Sequence, residues 1–318
     1  MTATQDSQMT GCSDDDSQCT AHNADSDVEG QESQTTVDDE VDQAEDEEEW
    51  EDDEDDRFPY TVEDIAALFA DLYQFLAKLQ FNPDDLKFPP PGGWPNLAPE
   101  HVGTWKEDFA LEVMRHLPYF RNGGDTQADY KQRFEDYSVW LPVEFTEPES
   151  FSEWIGSGRD GSPFHPKMAF TVAQGHESGG QQWILDAEHG EMWVMSVRCD
   201  SQGPFDLRDF FETFKEKTRG LQILSLRGQG AIDSSEVEER AERISEEEVM
   251  AQDVEDLNDF ERFFGNTSLD LQYLRQIYRD HGWPDAFRRT ECEDYIHGFM
   301  VRFEEQTGRE PWDLDHIG

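Results

Sequence analysis

The stretch WILDAEHGEMWV, residues 183–194, contains four side chains capable of acid–base or metal chemistry within six positions. They are Asp186, Glu188, His189 and Glu191, and apolar residues flank them on both sides. A carboxylate beside an imidazole could act as a general acid and base, or supply half of a metal site, if the groups converged in a pocket. The same residues also fit a turn between two strands. The surrounding elements must decide between these readings.

The flanking residues favour a turn. Apolar triplets precede and follow the acidic stretch, as in two paired strands, and Gly190 can adopt the positive φ that short hairpin links require. Asp186 can accept backbone hydrogen bonds in an Asx turn, which leaves Glu188 and His189 at a tip that projects outward. We therefore predict Asp186 and Gly190 as structural turn residues, Glu188 and His189 as partner-contact residues, and no catalytic residue.

Other residues that could do chemistry are scattered along the chain. His165, His176 and His189 lie on loops that bound predicted strands, but gaps of 11 and 13 residues are unlike the short fixed spacings of zinc sites. Cys199 has no identifiable base beside it, which is typical of an inert thiol. We predict no metal, no cofactor and no catalytic nucleophile. The alternative is an accessory biosynthetic enzyme with a pocket near residues 165–199.

Charge is unevenly distributed along the 318 residues. Residues 1–56 contain 23 of the 74 acidic residues and none of the 25 basic residues, so they carry −23 of the total charge of −49. A segment such as EDEEEWEDDEDD repels itself and has little apolar surface to bury, which predicts disorder. The negative charge disfavours direct binding to nucleic acid or to an anionic membrane, because phosphates repel carboxylates. A basic protein partner is compatible with it.

The distribution of apolar residues and cysteines predicts a compartment. The first twenty residues lack the basic and apolar regions of a signal peptide, and no window approaches the roughly 18 uncharged apolar residues of a spanning helix. Cys12 and Cys19 lie in the acidic tail, while Cys199 and Cys292 are isolated, which does not favour a disulfide framework. We expect a cytoplasmic or nuclear protein without a membrane segment.

Apolar periodicity predicts the elements that position these residues. Thr61 is a candidate N-cap with Asp64 three residues later, and the helix that follows has one apolar stripe formed by Ile65, Phe69, Leu72, Leu76 and Leu79. A second helix is predicted from about Glu107 to His116. Short aromatic and β-branched runs between residues 137 and 197 predict strands, and FDLRDFFETF returns to helical spacing.

The order of these elements predicts an α+β domain with a mainly antiparallel sheet flanked by helices. We place this domain at residues 57–225, after a disordered acidic tail at 1–56. Residues 226–256 carry 11 acids and 3 bases without a wide apolar face, which predicts a charged linker or a solvated helix. Aromatic stripes in 257–318 predict a helical C-terminal extension docked on the main domain, since about 60 residues alone form only a marginal core.

Four stretches together resemble the SUKH superfamily, which includes fungal cell-wall-synthesis regulators and bacterial toxin-immunity proteins. They are GGWPNLAPE, LPYFRNGG, LDAEHGE and FDLRDFFETF, within about residues 88–220. The typical hairpin of that family, an Asp and then a Gly before a polar residue and a strand, corresponds to Asp186, Gly190 and Glu191. The resemblance implies a non-enzymatic protein-binding or regulatory fold. Given the resemblance, the enzyme alternative would belong to a fungal biosynthetic pathway. A further alternative is a chaperone of a basic protein that works through the acidic tail.

Deletion of residues 1–56 is expected to leave the melting temperature nearly unchanged, because a segment with 23 acids and no bases buries little apolar area. Relief of charge repulsion could even raise it. Scanning calorimetry of the full and shortened chains measures the difference. Loss of cooperative unfolding in the shortened chain would contradict the prediction.

Overall fold

The computed structural model describes a large part of the chain after the acidic tail. The described residues are 58–102, 105–121, 132–139, 165, 167–175, 180–196, 201–226, 230–235, 237–252 and 268–308. All of them belong to one compact unit, Asp52–Gly318. The tail predicted at 1–56 lies outside the described residues.

Helix α1, Val62–Leu79, has the predicted start and the predicted apolar face. The Asp64 backbone N–H donates to Thr61 Oγ1 at 3.1 Å, and the Thr61 N–H donates to Asp64 Oδ2 at 3.2 Å, which completes a capping box. All five residues of the predicted stripe are buried. Their spacing of three and four places them on one side of the helix, and this side faces the protein core.

A small layer follows α1 in the chain. Strand β1, Leu86–Lys87, pairs antiparallel with β2, Tyr119–Phe120. Between them lie two short helices, α2 at Pro99–Val102 and α3 at Asp108–His116. Helix α3 matches the second predicted helix, and Val113 on it is fully buried.

A five-stranded antiparallel sheet forms the centre of the fold and confirms the predicted α+β class. Its strands lie in sequence order: β3 at Gln132–Phe134, β4 at Ala169–Gly175, β5 at Gln181–Asp186, β6 at Glu191–Ser196 and β7 at Ser201–Asp206. Residues 137–139, predicted as strand, instead form a turn in which Asp136 Oδ1 accepts the Ser138 N–H at 3.2 Å. The rest of that predicted strand, 140–145, lies outside the described residues.

Helix α4, Leu207–Arg219, covers one face of the sheet. Asp206 caps it by accepting the backbone N–H groups of Arg208 and Asp209 at 2.9 and 3.1 Å. Phe214 on this helix meets Trp183 of β5 edge to face, with ring centroids 5.1 Å apart. These rings join the α1 stripe in the main core, so the sheet is packed against α1 and α4.

The C-terminal part builds a second core next to the first. Its described elements are the antiparallel hairpin of β8 and β9, at Ile223–Leu226 and Gly230–Asp233, and three helices, α5 at Glu246–Met250, α6 at Ser268–Asp280 and α7 at Arg289–Thr307. Leu79 at the end of α1 belongs to this second core. The Arg289 guanidinium also donates to the Phe81 and Ala77 carbonyls at 2.6 and 3.0 Å, so α7 is fixed to the end of α1.

Residues 226–256, predicted as a charged linker or a solvated helix, contain strand β9 and helix α5 where the structure describes them. Ile244 and Val249 of this segment are buried in the second core. The buried side chain of Arg275 on α6 contributes to this packing, because its guanidinium donates to the carbonyls of Ser234 and Val237 in this segment and of Leu221 just before it. The segment is therefore packed through backbone carbonyls as well as a few apolar side chains, a kind of contact that sequence periodicity does not show.

Leu72→Ala is expected to reduce the free energy of unfolding by about 2–4 kcal/mol, because Leu72 is fully buried in the main core and its truncation leaves a cavity. Gln74→Ala is the matched control, since Gln74 is exposed on the same helix and its replacement should cost less than ~0.5 kcal/mol. Urea unfolding measures both variants. Equal midpoints for Leu72→Ala and the parent would show that the stripe does not contribute to the core.

Candidate functional site

The residues singled out in the sequence form the turn between β5 and β6. Asp186 Oδ1 accepts the backbone N–H groups of Glu188 and His189 at 3.0 and 3.4 Å. The other oxygen, Oδ2, lies 2.9 Å from His189 Nδ1. Gly190 follows with φ of +63°, in the left-handed region that glycine adopts without strain. Asp186 and Glu191 then pair across the two strands.

One side of this turn is covered at Gly190 by the residues that precede α1. A Cβ added to Gly190 would lie 2.3 Å from Tyr60 Cδ2 and 3.2 Å from Pro59 Cγ. The Tyr60 hydroxyl donates to Asp206 Oδ2 at 2.6 Å. The capping box at Thr61 fixes the start of α1, and this brings Tyr60 against the hairpin. Gly190 therefore has a steric role in addition to its conformational one.

His189 remains accessible although it is hydrogen-bonded. Its side chain is 62% exposed, while the Asp186 side chain is almost fully buried. The hydrogen bond to Asp186 raises the pKa of His189, and the charges of Asp186, Glu188 and Glu191 raise it further against a smaller effect of burial. A raised folded-state pKa means that the pair contributes stability below the unfolded-state pKa, and that this contribution is lost as the pH rises through the folded-state value.

Three carboxylates lie side by side at this end of the sheet. Asp186 pairs with Glu191, and Glu191 pairs with Asp206, so all three point to the same face across β5, β6 and β7. Asp186 and Asp206 are satisfied by the hydrogen bonds described above. The Glu191 carboxylate has no hydrogen bond to any described residue. We call these three residues the carboxylate row.

Glu191 is the least compensated member of the carboxylate row. Partial burial raises its pKa, and the charges of Asp186 and Asp206 raise it further, while His189 lowers it. Like charges placed directly opposite each other on neighbouring strands are destabilising. The arrangement therefore favours a cation, such as an ammonium or guanidinium group, beside Glu191.

The remaining candidate residues do not assemble into a catalytic or metal centre within the described part of the chain. His165 is exposed, and its carbonyl accepts the N–H groups of Met168 and Ala169 at the start of β4. His176 and Cys199 lie outside the described residues. Cys292 is buried on α7, and burial raises the pKa of its thiol to about 12, which makes it a poor nucleophile. No group of three or more metal-ligating side chains occurs among the described residues.

Sequence reasoning missed Tyr60, Asp206 and Arg208 as neighbours of the turn. Arg208 lies with its guanidinium carbon 5.8 Å from the centroid of the Tyr60 ring. Asp206 carried a usable signal, because an Asp directly before a helical pattern is a candidate N-cap. Tyr60 directly precedes an N-cap, a position at which a side chain often packs against the fold. Its contact partner, Gly190, lies 130 positions away and could not be predicted from spacing.

Comparisons with known proteins add no identification: no family model, no curated protein and no solved structure matches the chain. The resemblance to the SUKH superfamily therefore stays a prediction. Among the described helices, none combines the length and the apolar character needed to cross a membrane.

Gly190→Ala is expected to destabilise the protein by about 1–3 kcal/mol, because the new methyl group enforces strain at positive φ and collides with the Tyr60 ring. In a Tyr60→Ala background the collision is absent and the cost should fall, which gives a coupling energy on the order of 1 kcal/mol in a double-mutant cycle. His189→Ala should change the free energy of unfolding by less than about 0.5 kcal/mol at neutral pH, because the side chain is exposed. Strict additivity of the two substitutions at 60 and 190 would contradict the packing described here.

Proposed function

We propose that this protein is a non-enzymatic, intracellular binding module whose hairpin end recognises a basic segment of another protein. The observation that carries the proposal is the carboxylate row, in which the partly exposed Glu191 has two acidic neighbours and no hydrogen bond among the described residues. A lysine or arginine of a partner would relieve this repulsion on binding. Glu188 and His189 at the adjacent turn would provide further contacts.

The overall charge supports a basic partner. Residues 57–318 contain 51 acids and 25 bases, and the preceding 56 residues add 23 acids. A field of this sign accelerates encounter with a cationic surface and disfavours anionic competitors such as nucleic acids. Pro59 and Tyr60, near the start of the described chain, lie against Gly190 of the hairpin that carries the carboxylate row.

The resemblance to the SUKH superfamily supports the same function. It covers about residues 88–220, which include the hairpin, and it implies a regulatory domain that binds other proteins without catalysis. An α+β domain with an antiparallel sheet is compatible with that expectation. A cytoplasmic or nuclear location is part of this proposal.

The second candidate function is a chaperone of a basic protein that acts through the tail itself. The observation in its favour is the absence of any lysine or arginine among the first 56 residues, which hold 23 acids. The two functions differ in which residues determine affinity. The binding module requires the folded hairpin end for affinity, whereas for the chaperone the tail is sufficient.

Glu191→Gln is expected to weaken binding of a fluorescent lysine-rich peptide several-fold and, at the same time, to stabilise the fold by up to ~1 kcal/mol at neutral pH, because it removes a repelling charge from the row. The matched control is Glu216→Gln, which changes the total charge equally at an exposed position of α4. Fluorescence anisotropy at several salt concentrations and urea unfolding provide the two measurements.

Deletion of residues 1–56 separates the two candidate functions in the same assay. If the hairpin end is the binding site, the shortened chain retains binding and remains sensitive to Glu191→Gln. If the shortened chain loses all binding while Glu191→Gln and Glu216→Gln behave alike in the full chain, the tail is the active element and the proposed site is wrong.

A further inference from the structure

We propose that Phe88–Pro91 is a preformed polyproline ligand that binds an aromatic-lined groove on another protein. The sequence here is FPPPGG, at residues 88–93. Each proline has a fixed φ and no N–H group, and a residue before proline is restricted to extended conformations. Phe88, Pro89 and Pro90 each precede a proline, so the backbone is confined to a left-handed polyproline helix with three residues per turn.

A tight turn ends this short helix. The Gly93 N–H donates to the Pro90 carbonyl at 2.9 Å, and Gly92 between them has φ of +88°. Proline at the second position and glycine with positive φ at the third are the requirements of a type II turn, and Pro91 and Gly92 meet them. The type II turn at Pro91 and Gly92 therefore ends the polyproline segment.

Both ends of the segment are anchored to the folded domain. Before it, Lys87 pairs with Tyr119 in the small sheet, and its ammonium group lies 2.6 Å from the buried carboxylate of Asp136. After it, the Trp94 backbone N–H donates to the Arg115 carbonyl at 3.0 Å, and the indole N–H donates to the Leu117 carbonyl at 2.8 Å. The segment is held rigidly, so a partner would not have to order it on binding.

The side chains between these anchors are exposed. Phe88 is 51% exposed, Pro90 and Pro91 are also exposed, and Pro89 is half-buried. With three residues per turn, Phe88 and Pro91 lie on the same side of the polyproline helix while Pro89 faces the domain. Single exposed apolar residues are common on protein surfaces. Here an exposed aromatic residue and two exposed prolines lie close together on one rigid segment, so they form a continuous apolar contact surface.

Another exposed apolar residue follows a residue that is hydrogen-bonded to Lys87. Val139 is 68% exposed, and it follows Ser138, whose hydroxyl accepts a hydrogen bond from Lys87. No described residue donates a hydrogen bond to the carbonyl of Phe88 or of Pro89. These carbonyls are available to the indole N–H or phenol O–H donors that line grooves for proline-rich segments.

The geometry identifies the partner by its chemistry. A groove formed by parallel aromatic rings accepts the faces of prolines, gives an adjacent pocket to Phe88, and donates hydrogen bonds to the free carbonyls. This interaction is independent of the basic partner proposed for the hairpin end, because it requires no charged group. The two surfaces could therefore be occupied by different proteins.

The test is titration of the full chain with three purified proline-recognition domains, one each of the SH3, WW and EVH1 classes, by isothermal calorimetry. At least one class is expected to bind, and Phe88→Ala should weaken that binding about tenfold or more. Pro90→Ala should weaken it as well, because it removes the restriction on the backbone. Phe205→Ala is the matched control, since Phe205 is 38% exposed on β7, and it should change the affinity less than about twofold.

Melting curves of the three variants establish that each remains folded. Failure of all three domain classes to bind at millimolar concentration would overturn the proposal, as would unchanged affinity of Phe88→Ala. Loss of binding in Phe88→Ala together with an unchanged affinity for the lysine-rich peptide would support this surface independently of the hairpin end.

Discussion

The apolar stripe of α1 is the constraint on which the rest of the structure depends. Ile65 to Leu76 form one side of the core beneath the sheet and α4, and Leu79 at the end of the same stripe enters the second core. The stripe thus joins both halves of the described unit through one helix. Its capping box also places the preceding Tyr60 against Gly190, so the helix positions the hairpin that carries the candidate site.

The binding surface that we propose at the hairpin end opposes stability. Asp186 and Asp206 are each used by the fold, one to form a turn and the other to cap a helix. Glu191 lies between them and receives repulsion from both without a hydrogen bond from a described residue. An arrangement that is unfavourable in the free protein and favourable beside a cation is what a binding site for a basic partner requires.

The proposed polyproline surface differs from the hairpin end because its binding would not depend on charge. It is uncharged and held at both ends by a buried ion pair and by backbone hydrogen bonds, so its affinity would come from preorganisation. The proposed contact through this segment would require no charged group, so it would not depend on the protein's negative charge. The buried Arg275 provides a comparable rigidity in the C-terminal part, where it donates hydrogen bonds to the carbonyls of Leu221, Ser234 and Val237.

The sequence by itself determined the elements whose signals are local. The capping residues and spacing of α1, the α+β class, the strands around the hairpin and the C-terminal helices follow from periodicities of a few residues. The tertiary structure alone decided which distant groups meet. Tyr60 covers Gly190, Glu191 lies between two carboxylates from neighbouring strands, and Arg275 donates to carbonyls of a segment predicted as a charged linker or a solvated helix. Each of these contacts joins residues that are far apart in sequence or depends on strand register, and neither long-range contact nor register is encoded in local spacing.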